Sequence, residues 1–562
     1  HILPYTGYRL PERCWKRMRK ALPEYRNYAV LIRLRTFPDA LKTMWGFRRP
    51  HIKKVKTVQK NGQCRCNAAV ISYAIMITYC KETAICDFFM KGLRRMKKIA
   101  IVYGALKSEL QKRALERISS IILEQTLEYP SCIAYSDLSD DANLRCIYIG
   151  TKKDHPYIAK ASKSNLCKEE SYHIDVSDDR VIIEGYDDAG VLYGCIDFYN
   201  KYIVRFENIH DHNKNYFIHL FQEEKLPDFS YSSCPSVKNR GIWTWGHVIY
   251  DYRGFIDNMA KLKLNTIIIW NDFVPVNAKE MIAYAHSCHV KVIWGFSWLW
   301  DTNCAAVSMD TLYDNIDGIL DKFEKEYRGL SVDGVYFQSF TELQTERIGD
   351  MLIADAVTAF VNKTAARFFE RFGEMELQFG LHATSVKERL SYMKNVDPRI
   401  RIYWEDCGSF PFAYIPKDVA DYEKTKDFVK RITNLRDNEK FGAVTKGLVC
   451  LDWSEFKHLP GSFYLGKCSK AVTHNRVERK HRIWRYIQAY WMIHADKAYD
   501  MVKTMGEETG GDLYITALVE DGMFEENIMY PVALYSEMLW DTNCDMKEMM
   551  SSVALRSYVE FV

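Results

Sequence analysis

Several features that would settle a protein's class at a glance are missing from this chain of 562 residues. No apolar run is long enough to cross a bilayer: the one signal-like stretch, residues 68–79, follows Lys53, Lys54, Lys56, Lys60 and Arg65 but falls short of the about 20 residues a spanning helix needs. Its internal position and the lack of a small-residue cleavage site argue against a signal peptide. Cysteine is present 16 times but without order. Cys64-x-Cys66 is not a zinc spacing, and the later cysteines sit unpaired in apolar segments, as small core residues do. A disulfide scaffold is therefore not expected, and a reducing, cytoplasmic setting is. HExxH is absent, and His286-x-x-His289 beside Cys288 has no acidic partner at matching spacing and reads as structural. With no P-loop, GxSxG or Ser-Lys motif in the C-terminal half, no metal and no cofactor are expected.

Charge is unevenly spread. Residues 1–95 hold 21 Lys+Arg against 5 Asp+Glu, so a formal +16 there offsets −12 in the remainder and produces the modest total of +4. Clustered basic residues raise nucleic-acid binding, because Lys and Arg neutralise phosphates and release counterions. The basic part, however, has neither a helical nor an alternating period. Met96-Lys97-Lys98-Ile99-Ala100-Ile101-Val102 reads as a natural beginning, and residues 1–95 as upstream sequence read through in translation. Neither a nucleic-acid nor a membrane partner is expected. At the other end, Arg556 to Val562 carries no stop signal of a helix or domain, so residues 541–562 read as the start of a truncated C-terminal region.

Between these ends the composition, 48% hydrophobic and 27% charged, is that of an ordinary globular protein. Residues 96–203 alternate strands (99–103, 144–149, 172–176, 181–184) with helices (107–123, 188–202), a compact α/β domain. Gly185, Gly190 and Gly194 allow a tight strand-to-helix turn, with Asp188 able to cap the helix. The spacing is not GxGxxG and no acidic residue follows about 20 positions on, which excludes a dinucleotide site. After a connector, 204–237, strand and helix signals alternate eight times within 238–540. The strands are placed at 239–245, 266–270, 291–296, 332–337, 377–381, 399–404, 447–451 and 512–518. Eight such units predict one (β/α)8 TIM barrel, an α/β fold preceded by a small α/β sandwich domain.

The strand ends are loaded with chemistry. Val332 to Phe337 reads as a buried strand that turns polar and ends at Glu342, where a barrel keeps its catalytic groups. Trp243, Trp245, Trp270, Asp272, Trp298, Trp300, His382, Trp404, Glu405, Asp406, Asp452, Trp453, Glu455, Glu520 and Asp521 fall at the other ends. Tryptophan offers a broad apolar face with a donor at its edge, which suits a sugar ring. Carboxylates accept from hydroxyls, and a pair can divide acid and base work at a glycosidic bond. The expected function is therefore a glycosidase acting on a carbohydrate. Glu342, flanked by Phe340 and Leu343, is the expected general acid. Glu405, Asp406 and Asp452 compete for base or nucleophile. Trp243, Trp245, Trp270, Asp272, Trp298, His382, Trp404, Trp453, Glu455 and Glu520 are expected to bind substrate. A non-catalytic carbohydrate-binding barrel is the alternative.

The run Arg180-Val181-Ile182-Ile183-Glu184-Gly185-x-x-Asp188-x-Gly190-x-x-Tyr193-Gly194 resembles the α/β domain that precedes the barrel in bacterial β-N-acetylhexosaminidases and in α-glucuronidases. Domain order together with Phe337-Gln338-Ser339-Phe340-Thr341-Glu342 is similar to the α-glucuronidase group. That resemblance implies a single Glu after the fourth strand as acid, hence Glu342, with a later carboxylate activating water. Related hexosaminidases carry an adjacent Asp-Glu pair there, the Asp orienting the substrate acetamido group. Thr341 stands in the place of that Asp, which weakens a substrate-assisted mechanism, although the α/β domain still fits it, and a β-N-acetylhexosaminidase-like enzyme stays as a second alternative that the resemblance implies.

Overall fold

A computed structural model of the protein describes residues 97–139, 143–178, 180–206, 219–222, 225–271, 273–300, 308–341, 346–382, 390–405, 422–436, 440–449, 461–509, 512–519 and 524–559. The basic segment 1–95 lies outside them.

The first part is a six-stranded mixed sheet: β1 (Lys98–Tyr103), β2 (Ser131–Ala134), β3 (Leu144–Thr151), β4 (Tyr172–Asp178), β5 (Arg180–Gly185) and β6 (Leu226–Ser233), in the order β2-β1-β3-β5-β4-β6. β4 runs antiparallel to both its neighbours, and the remaining pairs are parallel. Ser108 begins the helix Glu109–Thr126 with a capping box: its hydroxyl accepts from Gln111 N at 3.1 Å, and Gln111 Oε1 accepts from Ser108 N at 3.2 Å. Ala114, Ile118, Ile121, Ile122 and Gln125 then form the buried face expected at helical spacing. At the glycine turn the helix Asp188–Asp197 is capped by Asp187, not Asp188, through a 2.8 Å bond from Gly190 N. Asp188 instead accepts from Ser108 Oγ and Gln111 Nε2 and ties two helix starts together.

The connector is not structureless. It supplies β6, an edge strand whose alternating burial and Pro227 hid it from a search for apolar runs; an edge strand tolerates proline because one side of its ladder is unpaired.

The second part is a closed eight-stranded parallel barrel: β7 (Asn239–Trp245), β8 (Thr266–Trp270), β9 (Lys291–Ser297), β10 (Gly334–Gln338), β13 (Glu376–His382), β14 (Ile400–Glu405), β15 (Phe441–Leu448) and β16 (Leu513–Val519). A short hairpin, β11 (Arg347–Ile348) and β12 (Met351–Leu352), interrupts the chain after β10. The protein is thus an α/β fold, a TIM barrel with a separate α/β domain before it, as the alternation of signals predicts. One strand is misplaced in that reading: β15 begins at Phe441, six residues before the expected start, because Thr445 and Lys446 interrupt its apolar run.

Side chains of each barrel strand alternate between two layers. Ile242, Ile267, Ile269, Phe296, Val335, Phe337, Leu377, Phe379, Ile402, Ala443, Ile515 and Ala517 pack outward in the main core with the surrounding helices. Trp243, Trp245, Ile268, Trp270, Ile293, Tyr336, Tyr403, Val444 and Leu518 form a separate cluster inside the barrel.

Buried charge joins the sheet domain to the N-terminal side of the barrel. Glu170 accepts from Arg240 at 2.6 Å, from Asn265 at 2.8 Å and lies 2.8 Å from His289 Nε2. Asp197 takes Lys263 Nζ at 2.7 Å and the Tyr172 hydroxyl, while Glu537 takes Lys201 and Arg556 at 2.6 Å each. Glu170, Lys263 and His289 all have positive φ, near 60°, a backbone state that these residues hold only where surrounding contacts fix it. Among the described residues no helix is long and apolar enough to cross a membrane.

Candidate active site

The C-terminal ends of the barrel strands converge on Glu405. It closes β14, is 4% exposed, and points inward with Tyr403 while Trp404 between them points out. Three donors, from β10 two strands away on one side and from adjacent β15 on the other, engage it. The Tyr336 hydroxyl and Gln338 Nε2, one turn of the pleat apart on β10, both donate to Oε1. Lys446 Nζ on β15 lies 3.2 Å from Oε2, and both partners are almost wholly buried. Burial, and next the charge of Glu405, push the Tyr336 phenol well above the usual tyrosine range, so it stays protonated as a donor. Hydrogen-bond donors and a cation at contact distance favour the ionised form of a carboxylate and fix its orientation.

A glycine makes this possible. Gly380 on β13 lies between β10 and β14 where the phenol and the carboxylate meet; a Cβ there would stand 2.8 Å from Glu405 Oε1 and closer still to the Tyr336 ring end.

Aromatic rings surround the same space. Tyr336 meets Trp243 edge-on at 5.9 Å, Trp270 at 6.2 Å and Tyr403 at 5.7 Å. Trp243 contacts Trp245 edge-on at 5.0 Å, and Trp270 contacts Trp300 at 6.1 Å. Such T-shaped packing locks ring orientation. The indole N–H of Trp243 is buried and carries no hydrogen bond, which leaves it free to donate.

Of the residues expected at the site, Trp243, Trp245, Trp270 and Glu405 come together inside the barrel. Trp298 and Trp404 do not, and that expectation is corrected. Trp298 is fully buried and stacked on Phe337 at 3.7 Å, and Trp404 packs 5.8 Å from Phe428 of the helix Tyr422–Thr433, both in the outer layer. Period-two alternation forces Trp404 outward once Glu405 turns inward. His382 ends β13 in register with Glu405, but its side chain lies outside the described residues, as do Glu342, Asp272, Asp406, Asp452, Trp453, Glu455, Glu520 and Asp521. His286 and His289 are structural: His286 pairs with Asp333 at 2.8 Å and His289 with Glu170. No group of His, Cys, Asp and Glu among the described residues could hold a metal.

Tyr336, Gln338 and Lys446 were not legible as site residues. Tyr336 reads as part of an apolar strand, and Lys446 lay before the expected start of its strand. A lysine followed by apolar residues inside a barrel repeat was the available signal.

No family model matches the chain, and no curated protein does. Among solved structures, it is similar to a GH20 β-N-acetylhexosaminidase from Streptomyces coelicolor A3(2), with 10% identity over 82% of this chain and 91% of that one and a TM-score of 0.49. It is also similar to a GH138 enzyme targeting pectin rhamnogalacturonan II, with 12% identity over 80% of this chain, 52% of that one and a TM-score of 0.46. The chain therefore spans about half the length of the latter. A GH20 exo-β-N-acetylglucosaminidase from Vibrio harveyi gives 11% identity over 82% and 73%, with a TM-score of 0.44. At such values the likeness concerns architecture and says nothing about the reaction.

Proposed function

We propose that the protein is a glycoside hydrolase in which Glu405 serves as the ionised carboxylate of a catalytic pair and Glu342 as the general acid. One observation supports this above the rest: a buried carboxylate at the C-terminal end of a barrel strand, held by Tyr336, Gln338 and Lys446 and walled by Trp243, Trp245, Trp270 and Trp300. Barrel enzymes place their chemistry at this end. Tryptophan faces match the CH surfaces of a pyranose, and the unpaired Trp243 N–H suits a hydroxyl. A carboxylate braced by two donors and an adjacent ammonium fits the part of the base or nucleophile, and a second carboxyl must deliver the proton. Glu342, four residues beyond Gln338 in the sequence, is the group proposed for that step; Asp406 and Asp452 are the competing carboxylates for the ionised role.

The test is turnover of a panel of aryl glycosides that includes α-glucuronides and β-N-acetylhexosaminides. The intact chain is expected to hydrolyse one class. Glu405→Gln and Glu342→Gln should each lower turnover by about 10²- to 10⁴-fold while sugar binding, read by tryptophan fluorescence, persists. Full activity in Glu405→Gln would refute the assignment. Sugar binding without turnover by the intact chain would make the barrel a carbohydrate-binding module.

A further inference from the structure

We infer that Lys446, aimed by a strand irregularity that Trp491 pins, is the positioning residue that sets the ionisation of Glu405. β15 and β16 stay in register from Phe441 to Thr445, then slip by one residue before Leu448, so the irregularity falls on Lys446 and Gly447. Such bulges free ladder groups from pairing, and they recur beside active sites, where they redirect a side chain. Here the freed carbonyl is captured from outside the sheet. Gly447 O accepts from Trp491 Nε1 at 2.7 Å, and Trp491 is a fully buried residue of the helix Lys470–Thr509. The residue next to this anchor is Lys446, 3% exposed, with its ammonium 3.2 Å from Glu405 Oε2.

A buried ammonium in the middle of a barrel strand is costly unless an anion meets it. Packing alone gives no reason for a lysine at this position, whereas a carboxylate that must stay charged does. Among the described side chains, the other titratable groups near Glu405 are protonated donors or pair with one another. Tyr336 of β10 donates to Oε1, and Tyr403 of β14 lies beneath, against Tyr336. Arg401 and Glu376, nearer the other end of the barrel, pair with each other at 2.6 Å, and Lys291 of β9 reaches Asn239 at 3.1 Å. His382 is the register neighbour on β13. Lys446 is thus the cation that the described residues bring into contact with Glu405.

The proposal rests on the glycosidase reading for its catalytic meaning, but its test does not. Titration of Glu405 can be followed by the infrared carboxylate band, identified as the one missing from Glu405→Gln. Lys446→Met should raise the pH at which Glu405 takes up a proton by about 1 to 2 units, since an opposite charge at contact distance favours the ionised form by that order. Lys446→Arg should restore it, and Trp491→Phe, which keeps the lysine but removes the anchor, should shift it in the same direction by less. In the active enzyme the acidic limb of the pH–rate profile should move with the band. If Lys446→Met and Trp491→Phe, folded by circular dichroism, both leave the band titrating as in the parent, the inference is overturned whatever the reaction proves to be. Should Lys446→Met fail to fold, Trp491→Phe alone decides. An unmoved band with no glycosidase turnover would count against both readings, and a shifted band without turnover against the glycosidase reading alone.

Discussion

Replacing Gly380 with alanine is expected to damage the site more than the fold. The added methyl carbon would sit 2.7 Å from Tyr336 Cζ and 2.8 Å from Glu405 Oε1. Ordinary carbon–carbon contact is about 3.5 Å or more, so the ring would have to retreat by at least about 0.8 Å, and the still closer hydroxyl by more. It has little room to do so, because Trp243, Trp270 and Tyr403 each meet the Tyr336 ring edge-on, at 5.9, 6.2 and 5.7 Å. The backbone cannot yield either, since β13 is held in register by β10 on one side and β14 on the other. Overpacking of this kind costs about 1 to 3 kcal/mol of stability. Displacing the hydroxyl removes a hydrogen bond to a charged group, about 1.5 to 3 kcal/mol, which corresponds to a loss of about 10- to 100-fold in turnover if Glu405 acts in the reaction. Tyr336→Phe separates the two effects: it introduces no clash, so its turnover should fall similarly while its urea midpoint falls only by the share of the lost hydrogen bond, less than in Gly380→Ala. Gly380→Ala with parental turnover and midpoint would show that the contact between phenol and carboxylate is not needed, and the reading of the site would fall with it.

Two further outcomes follow from the charge that joins the domains. Lys263→Met strands Asp197, which keeps the neutral Tyr172 hydroxyl and Asn200 amide but no cation in direct contact among the described residues, so unfolding should become easier by about 3 to 5 kcal/mol, and adding Asp197→Asn should recover much of that; a single variant within about 1 kcal/mol of the parent would refute it. Burial alone would raise Glu170, but Arg240, then His289 and Asn265, hold it far below the ordinary carboxylate range, and Asp197 and Glu537 are depressed likewise. A depressed group stabilises fully above its unfolded value, about 4.3 for Glu, and loses that contribution as the pH falls. The urea midpoint should therefore drop steeply between about pH 5 and pH 2, and less steeply in Glu170→Gln; parallel slopes would show that Glu170 is not responsible.

How far the sequence reached depends on what each residue does. β7 and β8 fall where their signals place them, because a strand covered on both faces is a continuous apolar run. β15 was misplaced because Thr445 and Lys446 break such a run, and β6 was missed because its Pro227 and alternating serines resemble a linker. The tryptophans show a different limit. Counting them at strand ends gathers Trp243, Trp245 and Trp270, which share the inward parity, with Trp404, which does not. Trp404 and Glu405 are adjacent in one strand, so they could not both face the barrel axis. Parity was available in the sequence and sorts those two; Trp298 lies past the end of β9, where parity no longer applies.

Comparing the buried charge between the domains with that around Glu405 shows why only the latter is a candidate for chemistry. Between the domains each carboxylate has several partners from different elements, as with Arg240, Asn265 and His289 around Glu170, and the backbone at Glu170, Lys263 and His289 is bent into the left-handed region to bring them together. Such redundancy fixes one arrangement of two domains. Inside the barrel the partners differ in kind: two uncharged donors of β10 meet Oε1 of Glu405, and the Lys446 ammonium lies against Oε2. Apolar residues of similar volume would serve the barrel's stability as well or better than this pair. A strand that accepts a lysine, a bulge and a glycine notch to hold one oriented anion beneath a wall of tryptophan departs from the best-packed barrel at several points at once, and such departures concentrate where a protein acts.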